Sequence, residues 1–133
     1  MSWHWLLSIA LLASPVVAEP IDNCASLLGS LSVELRVARR LPTDRRTTFV
    51  CPRDTRALLG ASKQRIVNSL GPPDVSAGPS GESESADGNA VAMSWSYFFS
   101  GAPARERGPG TPELRFDFNA SQLVSAVHCQ RTR

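Results

Sequence analysis

The sequence predicts an α+β fold, with helices packed on one face of a three-stranded antiparallel sheet. Three observations predict it. Residues 59–70 read as a short helix closed by Gly71-Pro72-Pro73-Asp74. Met93-Ser94-Trp95-Ser96-Tyr97-Phe98-Phe99 and Glu113–Asn119 alternate in the manner of strands. A third alternating run, Leu123–Cys129, closes the chain and completes a meander. The 133 residues and formal charge of +2 suit one small domain.

The first segment, residues 1–18, reads as a secretory signal. Leu6–Ala13 is apolar apart from Ser8 and too short to span a bilayer. Val16-Val17-Ala18 places small residues before Glu19, so cleavage is expected between Ala18 and Glu19. The region before the apolar run contains no Lys or Arg. No later run is long enough to cross a membrane. Pro20-Ile21-Asp22-Asn23 before Cys24 does not suit lipid attachment, so a soluble, unlipidated periplasmic or secreted chain is expected.

Residues 19–54 form an N-terminal helix and a connection. Cys24, Leu27, Leu28, Leu31, Leu35 and Ala38 recur at helical spacing, with Asp22 or Asn23 as cap and Pro42 as stop. Val33, Leu35 and Val37 also alternate with Glu34 and Arg36, as in a strand. Residues 22–41 therefore admit helix or strand; the helix is the stronger reading, giving way near Ser32. Thr43–Asp54 is an Arg-rich connection that holds one apolar piece, Thr48-Phe49-Val50-Cys51.

Residues 55–133 form the α+β domain. Thr55–Leu59 suits a helical turn, and Gly60 breaks it. Ser62 can cap the next helix by accepting a backbone N–H. Ile66, Val67 and Leu70 give that helix its apolar face, and Gly71 supplies the left-handed position that ends it. Val75–Asn89 is rich in Gly, Ser and acid and reads as a mobile loop. Met93, Trp95, Tyr97 and Phe99 share one face of their strand, and Phe98 lies on the other. Ser100–Pro112 is a Pro/Gly loop that carries Arg105, Glu106 and Arg107. Leu114, Phe116 and Phe118 face the core, opposite Glu113, Arg115 and Asp117.

Three cysteines, Cys24, Cys51 and Cys129, enter an oxidising compartment if the signal is used. Spacing alone leaves three single pairings open. Cys51–Cys129 is favoured because it ties the start of the domain to its last strand. Cys24 then remains as a thiol that could link two chains into a dimer, or it could be the partner of Cys51.

No residues read as catalytic, and no metal or cofactor is implied. Histidine occurs at His4, in the signal, and at His128. His128 and Cys129 are neighbours on a strand and point to opposite faces, so they do not form a nucleophile–base pair. Glu82, Glu84 and Asp87 lack a calcium-loop pattern. Thirteen of the fourteen basic residues are Arg, and a net charge of +2 gives no reason to expect nucleic acid. Candidate protein contacts are Phe98 with Arg115 on the outer sheet face, and the Arg105–Arg107 loop.

Leu59-Gly60-Ala61-Ser62, Val67, Leu70-Gly71-Pro72-Pro73, Trp95-Ser96-Tyr97 and Leu114-Arg115-Phe116-Asp117-Phe118, followed by Val124 and Val127, resemble the SmpA/OmlA (BamE-type) family. The same pieces resemble one repeat of the β-lactamase-inhibitor-protein fold. The likeness covers the C-terminal part of the chain, residues 55–133. It implies two helices against three strands and a binding or scaffolding role at the cell envelope. The function expected is a non-enzymatic binding module, an envelope-assembly accessory. An inhibitor of an envelope or secreted enzyme and a structural envelope protein dimerised through Cys24 are the alternatives. The missing lipid-attachment cysteine and the additional cysteines depart from the family pattern.

Overall fold

The computed structural model describes residues 22–43, 45–79 and 90–133. The expected signal, its Ala18/Glu19 cleavage point and most of the acidic loop lie outside the described residues.

Helix α1 spans Asn23–Arg40. Asp22 starts it: its carboxylate accepts the Ala25 N–H at 3.0 Å, satisfying one of the donors a helix start leaves open. Leu28, Leu31, Leu35 and Ala38 are buried along one stripe. Of the two readings for this segment, the helix holds, and it runs through Ser32 without a break. Val33 and Val37, which suggested a strand, sit on the exposed side of α1 at 51% and 55% exposure. Arg39 and Arg40 end the helix, where cations favour its negative pole.

After the connection, a 3₁₀ turn at Arg56–Leu58 leads to α2, Lys63–Leu70. Ser62 caps α2 by accepting the Arg65 N–H at 3.1 Å. Gly71 ends it with φ 78°, a conformation that favours glycine. Between these elements the chain runs beside the last strand. Gly60 N–H donates to Val124 O, and Val124 N–H donates to Ala61 O, each at 2.8 Å.

The sheet has four strands, not three. They are β1 (Val75–Ala77), β2 (Met93–Phe98), β3 (Pro112–Phe118) and β4 (Val124–Arg131), in the order β1-β2-β3-β4, all neighbours antiparallel. The expected loop at Val75–Asn89 therefore begins with a strand. Its three residues are all exposed, so no apolar alternation marks it in the sequence. It is held as an edge by pairing with β2, Val75 opposite Ser96 and Ala77 opposite Ser94. A bulge between Asp117 and Phe118 shifts the β3–β4 register, so that Phe118 faces Val124.

One core joins the layers. Leu28, Leu31, Leu35, Ile66 and Leu70 from the helices meet Tyr97, Leu114, Phe116 and Phe118 from the sheet and Phe99 just after β2. Tyr97 and Phe116 pack edge to face at 5.9 Å, and Trp95 and Phe118 at 4.9 Å, the arrangement the ring quadrupoles favour. Phe49, in the connection, stacks on Phe99 at 3.7 Å. The buried Tyr97 hydroxyl donates to Gly71 O at 2.8 Å, which ties the end of α2 to the sheet. Burial raises the pKa of that hydroxyl well above the ordinary tyrosine range.

Cys51 and Cys129 form a disulfide with Cα atoms 5.7 Å apart, as favoured from the sequence. Cys24 is a free, half-buried thiol in the first turn of α1, packed against the core. Among the described residues, no helix is long and apolar enough to cross a membrane.

Candidate protein-contact surface

Two groups of polar side chains lie on or beside the outer face of the sheet. The first centres on Asp117. Side chains alternate across a strand, so Glu113, Arg115 and Asp117 of β3 share the outer face with Ser94, Ser96 and Phe98 of β2. His128 of β4 stands opposite Arg115. Asp117 is only 6% exposed, and its carboxylate is well partnered. It accepts from the Ser94 hydroxyl at 2.7 Å and meets His128 Nε2 at 2.9 Å. Arg115 Nε lies 3.3 Å from the same carboxylate. That distance gives charge attraction, but the angle gives no hydrogen bond, and the nitrogen is buried without a hydrogen-bond partner.

Serine, aspartate and histidine thus converge, but in the wrong order for nucleophilic chemistry. A serine nucleophile needs a base to take its proton, and that base needs an acid behind it. Here the carboxylate stands between serine and histidine, so Ser94 donates to Asp117. The cluster cross-links β2, β3 and β4.

The second group centres on Asp74, the residue after Gly71-Pro72-Pro73. Its N–H donates to Ser96 O at 2.9 Å, and its carboxylate accepts the Phe98 N–H at 2.7 Å. Arg39, from the end of α1, donates to the same oxygen at 3.2 Å. Arg107, from the β2–β3 loop, approaches the other oxygen at 3.8 Å. One carboxylate therefore joins a helix end, a strand and a loop. The Arg107 guanidinium also lies over the Phe98 ring, 4.4 Å from its centre.

This geometry revises the pairing of the sequence-derived contact residues. Phe98 stacks with Arg107, and Arg115 turns to Asp117. Phe98 is half-buried under Arg107, whose side chain is 17% exposed. Arg105 is exposed in a short 3₁₀ turn, Ala104–Glu106. Asp74, Asp117 and Ser94 were not singled out from the sequence, because their partners come from other elements.

The β2–β3 loop is held firmly against α1. Gly101 sits so close to the Leu41 carbonyl oxygen that a Cβ there would collide with it, and the Arg39 carbonyl oxygen would lie 3.2 Å away. Between this loop, the connection after α1 and the end of β4 lies a groove of ≈ 250 Å³. Arg45, Arg46, Arg107 and Arg131 line it, with Glu106.

Elsewhere, Asp22 joins the helices through Arg65 at 2.6 Å. Its capping bond from Ala25, and then Arg65, hold its carboxyl below the ordinary range. Arg56 binds both oxygens of Asp54 and lowers its pKa to about 2. Among the described residues, no group of three or more His, Cys, Asp and Glu side chains could hold a metal ion.

Comparison with protein-family models, with curated proteins and with solved structures gives no match for this chain.

Proposed function

We propose that the chain is a non-enzymatic binding module of the periplasm or the secreted space, acting from Glu19 onward without a lipid anchor. The observation that carries this reading is the loop pole beside Asp74. There the end of α1, the turn that follows α2 and the β2–β3 loop are fixed into one surface by Asp74, Arg39, Arg107, Phe98 and the close contact of Gly101 with Leu41. Loops on a rigid scaffold are the usual carriers of recognition. A surface already ordered before binding loses less entropy on contact. Aromatic and arginine side chains are common anchors at such surfaces.

The likeness to the SmpA/OmlA family, carried by Leu70-Gly71-Pro72-Pro73, the Trp95/Tyr97 strand and the Leu114/Phe116/Phe118 strand, supports an accessory role in envelope assembly. An inhibitor-like role fits the same surface. The dimer through Cys24 is less well supported, because the thiol is half-buried against the core.

The test is affinity purification of the tagged, oxidised full chain from envelope and secreted fractions of its own organism, beside a Phe98→Ala/Arg105→Ala variant. A partner retained by the first and lost by the second is the expected result. Barrel-assembly components among the retained proteins indicate the accessory role, and a single unrelated enzyme indicates inhibition. No specific partner, or equal capture by both proteins, refutes the reading.

A further inference from the structure

We infer that the arginine-lined groove binds the carboxylate side chains of an acidic segment in a partner protein, an inference that rests on the binding-module reading above. The groove collects four guanidinium groups, Arg45, Arg46, Arg107 and Arg131, beside the carboxylate of Glu106, and Arg107 is also paired with Asp74 at 3.8 Å. Two of the four are held in place by backbone carbonyls. Arg107 Nε donates to Ala102 O at 3.3 Å, and Arg131 Nη1 donates to Gly110 O at 2.9 Å. Arg45 and Arg46 are exposed, and among the described residues neither is joined to a carboxylate. Asp44, which precedes Arg45, lies outside the described residues.

Charge and shape together select the ligand. A recess in which one sign of charge predominates, here four Arg to one Glu, draws in the opposite charge. Guanidinium forks match carboxylates in geometry and form charge-assisted bonds with them. The groove's ≈ 250 Å³ falls short of a typical small-molecule site. It also lacks the long basic track that follows a nucleic-acid backbone, and the whole chain carries only +2. One or two acidic side chains of an extended segment suit both its size and its charge.

The experiment is fluorescence anisotropy with the oxidised full chain and a labelled octapeptide rich in Glu and Asp. Its Gln/Asn counterpart and a labelled oligonucleotide serve as competitors. The acidic peptide should bind, the neutral one should not, and binding should weaken with salt. An Arg45→Ser/Arg46→Ser variant should bind ~10-fold more weakly, the loss expected for charge-assisted hydrogen bonds. Arg46→Glu should weaken it further by repelling the peptide. Both sites are exposed, and an unchanged circular dichroism spectrum verifies the fold. Equal binding of the two peptides, no binding of the acidic one, no effect of the variants, or preference for the oligonucleotide overturns the assignment. A partner that is lost on Phe98→Ala/Arg105→Ala but kept by Arg45→Ser/Arg46→Ser removes the groove while leaving the binding-module reading intact.

Discussion

At the scale of single residues, the acidic side chains divide by what they hold. Asp22 does two things at once: one oxygen caps α1 and the other meets Arg65 of α2. The cap was legible because its donor lies three residues away. The ion pair was not, because 43 residues separate the partners and only the fold brings them together. The same holds for Asp117 and Ser94, 23 residues apart, and for Asp74 and Arg39, 35 apart. Asp22 also yields a pH prediction. Its folded pKa lies below its ordinary 3.8, so the charged form is favoured by folding. That stability is present above the unfolded pKa and is lost as pH falls through the folded one. Asp22→Asn keeps a capping oxygen and removes the charge. The thermal midpoint of the variant should therefore lie below that of the parent at about pH 7, and the gap should close toward about pH 3. A gap that stays constant across this range would show that the carboxylate's charge contributes nothing.

At the scale of elements, local punctuation was easy to read and close approach was not. Ser62, Gly71 and the alternating β2 and β3 each announce themselves through their own side chains, and each appears near its expected place. The edge strand β1 carries no such mark, since Val75, Ser76 and Ala77 are exposed and pair only through their backbone. Gly101 is the second case. In sequence it is one of several glycines in a Pro/Gly loop, yet it is where the loop touches the end of α1. Gly60, Gly71 and Gly110 need a left-handed backbone; Gly101 needs the space that a Cβ would fill. Gly101→Ala should push the loop off the Leu41 carbonyl and cost ~1–3 kcal/mol, the usual scale of overpacking. Gly108→Ala, in the same loop with open space around it, serves as the control. Chemical denaturation of both variants tests this, and equal midpoints would refute a tight contact at Gly101. The loop should loosen with Gly101→Ala, so the same variant should also bind the acidic peptide more weakly than Gly108→Ala does.

At the scale of the whole molecule, the question is what holds the arginine-rich connection to the sheet. Between α1 and α2 the chain forms little regular structure, apart from one 3₁₀ turn. Among the described residues, Phe49 stacked on Phe99 and Cys51 bonded to Cys129 anchor it. The bond links residues 78 apart, so it spans nearly the whole domain. In the chain-entropy picture, closing so long a loop disfavours the unfolded state by ~4 kcal/mol, and less where the unfolded chain is already compact. Reduction should therefore lower the thermal midpoint by ~10–20 °C for a domain of this size. The variants separate the pairing from its alternatives. Cys51→Ser and Cys129→Ser should each lower the midpoint and abolish its dependence on reductant. Cys24→Ser should leave that dependence intact, because its thiol closes no loop. If Cys24→Ser instead removed the effect of reductant, Cys24 would be a bonded cysteine and the connection would be fastened to α1. The groove would then lose the covalent tie that holds its Arg45 and Arg46 wall near β4, and the acidic peptide should bind the reduced and oxidised chains alike.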